Sequence, residues 1–366
     1  MNKKLIALAV AGVTLAPAAM AQTANPVTLY GRVYVTLNTI NANGSGVPGG
    51  VATQPISRRS SVADESSLIG VRGTEDLGGG LKAFFQVESG APVDAGGGTF
   101  ASRNSAVGLQ GGFGSVLIGR WDTPMKTLFL ANDPAGQLSI SSPLAMLGTA
   151  ATGGSTPFNR RQDNSVQYWT PNINGFSGRL LYSPNEGKTA TASPTTMGLN
   201  AMYSGGPLVL GYAYEVHKDQ VNGTGAVASG ATAGVKEKSH VLLATFKFGP
   251  FKVGATGERI ERNNKSDQKI ALLTGQYDIG KHTVYGMYGK SKDGLVGGAV
   301  QPEGKFATVG YNYNFSKRTM FTANYTSVVN NYVAAFSING SGTAYAAVAG
   351  PGNDSKGFGV GLRHLF

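Results

Sequence analysis

The chain carries four histidines, His217, His240, His282 and His364, and no cysteine, so acid–base or metal chemistry would have to be assembled from these imidazoles and from carboxylates. The histidines sit in separate segments, and neither H-E-x-x-H nor G-x-S-x-G occurs. His217, with Glu215 on the same face of an alternating stretch, is the best-placed base; it has no nucleophile in its pattern and reads as a rim residue. A phosphate-cradling loop is also missing. Gly44 and Gly49 have its glycine spacing, but Gly50 and Val51 stand where Lys and Ser or Thr are needed. The pattern is not that of an enzyme, and no cofactor is implied.

The basic residues share a direction instead. With Leu29, Gly31, Val33 and Val35 on an outer face, period-two alternation points Arg32 the other way, beside Tyr30 and Tyr34. Ile69 and Val71 outward turn Arg72 inward, and Leu81, Ala83, Phe85 and Val87 outward do the same for Lys82, Gln86 and Glu88. Alternation does not decide Arg103, because Val107 and Leu109 share its parity. Fixed charges around an enclosed aqueous space sort ions by sign and size without bond chemistry. The plainer alternative is that such arginines pair with Glu88 and other inward acids to brace the wall.

An enclosed space needs strands that close. Residues 1–21 read as a cleaved secretory signal, with Lys3 and Lys4, an apolar run from Leu5, and Ala19 and Ala21 flanking Met20. Downstream no run of about 18 apolar residues suits a spanning helix, so a membrane role requires a β-barrel. Ala307, Val309, Tyr311, Tyr313 and Phe315 alternate with Thr308, Gly310, Asn312 and Asn314, and Phe321, Ala323 and Tyr325 repeat the pattern beyond a turn at 316–318. Short turns recur at 75–80, 111–114, 171–177, 204–207, 249–250, 278–281 and 316–318. Between them lie longer stretches near 42–63, 90–101, 122–163, 184–194, 218–237, 261–267, 291–304 and 330–354. Eight loops alternating with seven turns predict 16 strands in a single barrel over 22–366, with no linker dividing it. Val241 to Phe248 and Ile270 to Leu273 are apolar on both faces, so their orientation stays open. The chain ends on Phe366 inside an alternating strand, which predicts pairing with the first strand.

Several stretches resemble the general porins of Gram-negative bacteria, especially those of β-proteobacteria. They are Val27 to Arg32, Gly70 to Ala83 with Gln86 to Gly90, Arg103 to Pro124, Asp163 to Tyr168, and Val360 to Phe366, in the family's order. The resemblance implies an all-β, 16-stranded antiparallel barrel in the bacterial outer membrane, assembled as a homotrimer. Each copy would hold a water-filled pore for passive diffusion of small hydrophilic solutes and ions. It also implies that the third long loop, 122–163, folds inward as a constriction; Leu128-Phe129-Leu130 and Leu144 to Leu147 make that loop unusually apolar. The family places basic wall residues at Arg32, Arg72 and Arg103, a ladder facing the loop, with Arg120 a further member. Asp133 is the loop acid best placed to face it, Asp122 sits at the loop's base, and Arg160 and Arg161 stand near its exit. Leu68 stands where many relatives carry another inward Arg, so the ladder is one rung short. The terminal strand resembles the family's insertion signal, with His364 where an aromatic is more widespread.

The formal net charge is +11, and removing Lys3 and Lys4 with the signal leaves +9. That balance predicts weak to moderate anion preference, with some loop charge available to lipopolysaccharide phosphates and outer-membrane lipids. The basic residues are spread along the chain, which excludes a nucleic-acid-binding run. A surface adhesin remains the rival reading for the Gly/Ala/Ser/Thr-rich tracts 223–234 and 340–350.

Overall fold

The computed structural model of the protein describes residues 27–43, 55–136, 139–151, 157–184, 186–220, 231–262, 267–294, 301–338 and 351–366. The predicted signal at 1–21 lies outside the described residues, as do 223–230 and 340–350 of the two Gly-rich tracts.

Among the described residues, seventeen strand segments form one antiparallel sheet closed on itself. They are β1 (Thr28–Ala42), β2 (Ile56–Asp64), β3 (Leu68–Gly78), β4 (Leu81–Gly90), β5 (Ser105–Gly111), β6 (Gly114–Asp122), β7 (Arg161–Trp169), β8 (Phe176–Ser183) and β9 (Thr195–Gly205). The others are β10 (Leu208–Gln220), β11 (Ala231–Phe248), β12 (Phe251–Glu261), β13 (Asp267–Ile279), β14 (His282–Asp293), β15 (Glu303–Asn314), β16 (Thr319–Asn330) and β17 (Ser355–Leu365). Both β2 and β3 pair with β1, β2 along its Val35–Ala42 end and β3 along Thr28–Arg32, so they are two halves of one stave and the barrel has 16. The stave breaks at Glu65-Ser66-Ser67. Ser66 takes a φ of 64°, and the Ser67 N–H donates back to Asp64 at 3.0 Å.

The terminal strand closes the ring, with Arg32 opposite Leu365 and Ala42 opposite Ser355. Gly31 N–H donates to the Phe366 carbonyl at 3.0 Å, and Phe366 N–H returns to Gly31 at 3.1 Å. Closure satisfies the edge groups that hydrocarbon could not. All seven expected short turns fall between neighbouring strands. Two loop expectations need correction: 42–63 contains β2, and 218–237 shrinks because β10 runs to Gln220 and β11 starts at Ala231. These strands carry polar residues on both faces beyond the apolar band, so composition made them look like loop.

Leu242 and Leu273 are 65% and 61% exposed on the outer face, while Val241, Leu243, Ile270 and Leu272 are buried on the inner one. At the tight-turn rim, Phe248 stacks on Phe251 at 5.4 Å, Tyr277 tilts against Phe251 at 4.6 Å, and Tyr313 meets Phe315 at 5.0 Å. Such an aromatic belt belongs where a barrel wall meets headgroups.

Candidate functional site

Between β6 and β7 the chain runs from Thr123 to Arg160. It opens with helix α1 (Pro124–Ala131), started by Thr123, whose hydroxyl accepts the Lys126 N–H at 3.2 Å, and by Pro124 at the first turn. The helix lies against inward-facing residues of the wall. Asn200 of β9 donates to the Pro124 carbonyl at 2.7 Å, and a Cβ on Gly211 of β10 would stand 2.3 Å from Leu128. Asn132 ends the helix by donating to Thr256 of β12 at 3.0 Å and accepting from Thr274 of β13 at 2.6 Å. Further along, Gly148 N–H donates to Glu258 at 2.8 Å and Ala151 N–H to Gln268 at 3.1 Å. Met125, Leu128, Phe129, Met146 and Leu147 share one buried apolar cluster with Val241, Leu243, Ile270 and Leu272. The doubly apolar strands are thus explained: lipid meets one face and this segment the other.

Charged side chains gather where the segment leaves the wall. Arg103 donates from Nε to Glu88 at 2.6 Å, and the second Glu88 oxygen accepts from the Tyr30 hydroxyl at 3.2 Å. The Arg72 guanidinium lies 5.0 Å from the Tyr30 ring centre. Arg32 donates from Nε and Nη2 to the Ser66 carbonyl at 3.3 and 2.7 Å, tying it to the broken stave. Beside them Asp122 is held by Lys126 Nζ at 2.9 Å and Arg161 Nε at 3.4 Å, and Asn104 donates to its other oxygen at 2.9 Å. Arg120 pairs with Asp163 and donates from Nε to the Ser102 carbonyl at 3.0 Å. A recess of about 170 Å³ joins the two groups, bounded by Leu68, Glu88, Arg103, Asn104, Asp122 and Lys126 among others. Burial, opposed by the Asp122 charge and reinforced by Arg161, brings the Lys126 ammonium down to about 8.

The predicted residues therefore divide. Arg32, Arg72, Glu88 and Arg103 form one group with Tyr30, and Arg120 and Arg161 adjoin it through Ser102 and Asn104. Arg103 precedes β5, so strand parity never governed it; its bond to Glu88 fixes its direction. Asp133 has another setting: Oδ1 accepts the Ala135 N–H at 2.9 Å, and its charge acts on Tyr285 of β14. Arg160 donates to Thr196 at 2.9 Å and Gln220 at 3.0 Å, buried beside the wall. His217, near the long-loop end of β10, is covered. It is fully buried, 2.7 Å from Glu215, because Phe158 of the long segment stacks over it at 4.2 Å. Sequence reasoning missed Lys126, Asn104 and Asp163. The four-residue step from Asp122 to Lys126 across a helix start was the available signal.

A closed barrel with an apolar outside and a charged, hydrogen-bonded inside defines a transmembrane channel protein. The family model for Gram-negative porins matches residues 7–332, and the chain belongs to that family. It is 30% identical to outer membrane porin protein 32 of Delftia acidovorans over the full length of both chains. A stretch of 205 residues is 35% identical to the major outer membrane protein P.IB of Neisseria gonorrhoeae, covering 56% of this chain and 55% of that one. Among solved structures, an anion-selective porin from Comamonas acidovorans superposes with a TM-score of 0.75 at 26% identity, covering 93% of this chain and all of that one. OmpT of Vibrio cholerae in its trimer form shares the fold, with a TM-score of 0.67 at 17% identity over 93% of this chain and 99% of that one. The protein is an outer-membrane porin.

Proposed function

We propose that residues 122–163 narrow the channel and that the charges at the base of this segment give it a weak to moderate anion preference. The observation that carries the reading is an imbalance of charge. Among the described residues, Arg103, Arg120, Lys126 and Arg161 make their ion pairs with three carboxylates, Glu88, Asp122 and Asp163, and Arg32 and Arg72 make none, so this cluster sets six positive charges against three negative. Opposed pairs keep the cations in place while an excess of three remains to attract chloride, phosphate or small carboxylates. Guanidinium suits this work because it stays charged and its plane stacks on neighbours. The named selectivity of the Comamonas protein supports the same sign. In this reading Asp133 marks the loop side facing β14, the protein is a homotrimer as the named trimer form of OmpT suggests, residues 1–21 are a cleaved signal, and the channel performs no catalysis. Lipopolysaccharide phosphates contact its surplus loop cations.

Removing charge tests the reading. Arg103→Gln and Arg72→Gln, each reconstituted in planar bilayers, are expected to lower the chloride-to-potassium permeability ratio. An unchanged ratio in both would place selectivity elsewhere.

A further inference from the structure

On the tight-turn side of the charged cluster lies a second inner-wall recess, of about 370 Å³, which shares only Arg72 with the ion-sorting argument. Its volume falls within the ~300–1,000 Å³ of ordinary small-molecule sites. Arg72, Phe84, Gln110, Trp121 and Trp169 line it. Their strand neighbours Val107, Leu109, Val116 and Ile118 are exposed on the outer wall, so the recess belongs to the inner face. Trp121 and Trp169 are the chain's only tryptophans, and they meet edge to face at 5.4 Å and 63°. The Trp169 Nε1–H donates to Gln167 at 3.0 Å, which fixes the indole plane. The Arg179 guanidinium lies 4.5 Å from the Trp169 ring centre, and Arg72 holds the same relation to Tyr30 at 5.0 Å. Among the described residues neither guanidinium is ion-paired, unlike Arg103, Arg120 and Arg161.

Hydrated inorganic anions need charge and a water-filled path, not rings. Two indoles, a phenyl ring and the Arg72 guanidinium line one surface suited to a planar π-system that carries a negative charge, and Arg179 backs the Trp169 ring. Stacked on Tyr30, the Arg72 guanidinium presents its edge N–H groups to the paired oxygens of a carboxylate, the geometry in which Arg binds best. Gln110 adds a neutral amide at the wall. We propose that this recess is a transit subsite for aromatic carboxylates, which stack on the Trp121–Trp169 pair and place their carboxylate against Arg72. The proposal rests on the anion-preferring reading for the sign of its ligand only.

The test uses the full-length protein in planar bilayers, with block of the chloride current by benzoate compared with cyclohexanecarboxylate. The two anions have equal charge and similar size, and differ in the π-system. Benzoate is expected to block at about three- to tenfold lower concentration. Trp169→Leu with Trp121→Leu removes that difference, Trp169→Phe keeps most of it, and Arg72→Gln weakens both blockers. The potassium chloride reversal potential stays unchanged in both tryptophan variants, which also shows that their barrels are assembled. Equal block by the two anions in the unaltered protein overturns the subsite. So does a benzoate advantage that survives the double leucine variant. If instead benzoate discrimination is found in a channel whose reversal potential shows cation preference, the subsite stands and the proposed ion selectivity falls.

Discussion

Gly254→Ala drives a wedge against the anchor of the long segment. A Cβ at Gly254 would stand 2.1 Å from Asn132 Oδ1 and 2.7 Å from Thr274 Oγ1, both inside any permitted contact. The Asn132 side chain must then swing away and give up its bonds to Thr256 at 3.0 Å and Thr274 at 2.6 Å. Two such bonds contribute ~0.5–1.5 kcal/mol each, and leaving this buried amide unsatisfied costs a further ~1–3 kcal/mol. A loss of roughly 2–6 kcal/mol, at about 1.4 kcal/mol per tenfold, raises the detached population by a factor of ~30 to ~20,000. Single-channel recording reads this directly, as greater open-channel noise and more frequent brief closures at constant voltage. Gly257→Ala on the same strand is the control, since its Cβ would meet nothing within 4 Å. Unheated gel mobility verifies that both barrels are folded. If the two variants give identical current records, the segment is not held as described.

Glu88→Gln deletes the carboxylate facing Arg103 and raises the excess of positive charge from three to four, so the chloride-to-potassium permeability ratio should rise, measured from reversal potentials. Between pH 7 and 9 that ratio should fall: with its ammonium brought down to about 8, Lys126 sheds a proton in this window, and Lys126→Gln should flatten the profile. The same shift sets a stability sign. Because burial lowers the folded value below the ordinary lysine range, the cost of holding Lys126 charged is present below about pH 8 and is relieved as pH rises above it. Deleting Phe366 removes its reciprocal backbone bonds with Gly31 at the seam, and the temperature at which the unheated gel band is lost should drop relative to the intact chain.

The wall was legible because alternation is a local property. Arg32, Arg72 and Glu88 could be assigned to the inner face from Leu29, Ile69 and Phe85 alone, and the structure keeps those faces. The closing pair of Phe366 with the first strand followed from an edge that needed cover. What failed had long-range causes. Val241 to Phe248 and Ile270 to Leu273 looked ambiguous because their inner partners, Leu128, Phe129 and Met146, lie about a hundred or more residues away. The burial of His217 was unreadable for the same reason, since Phe158 of the long segment stacks over it. Asp133 was selected by residue type, but its local turn with Ala135 and its position by Tyr285 depend on how the segment crosses the barrel. The break at Ser66 and its capture by Arg32 left no pattern in the sequence, because a single left-handed residue does not disturb alternation on either side.

The reversal potential of the full-length channel under a potassium chloride gradient tests the central claim most directly. An excess of cations over carboxylates at the base of the long segment predicts a potential displaced toward the chloride equilibrium value, shrinking as salt is raised and screening takes over. A potential displaced toward the potassium value would contradict the account.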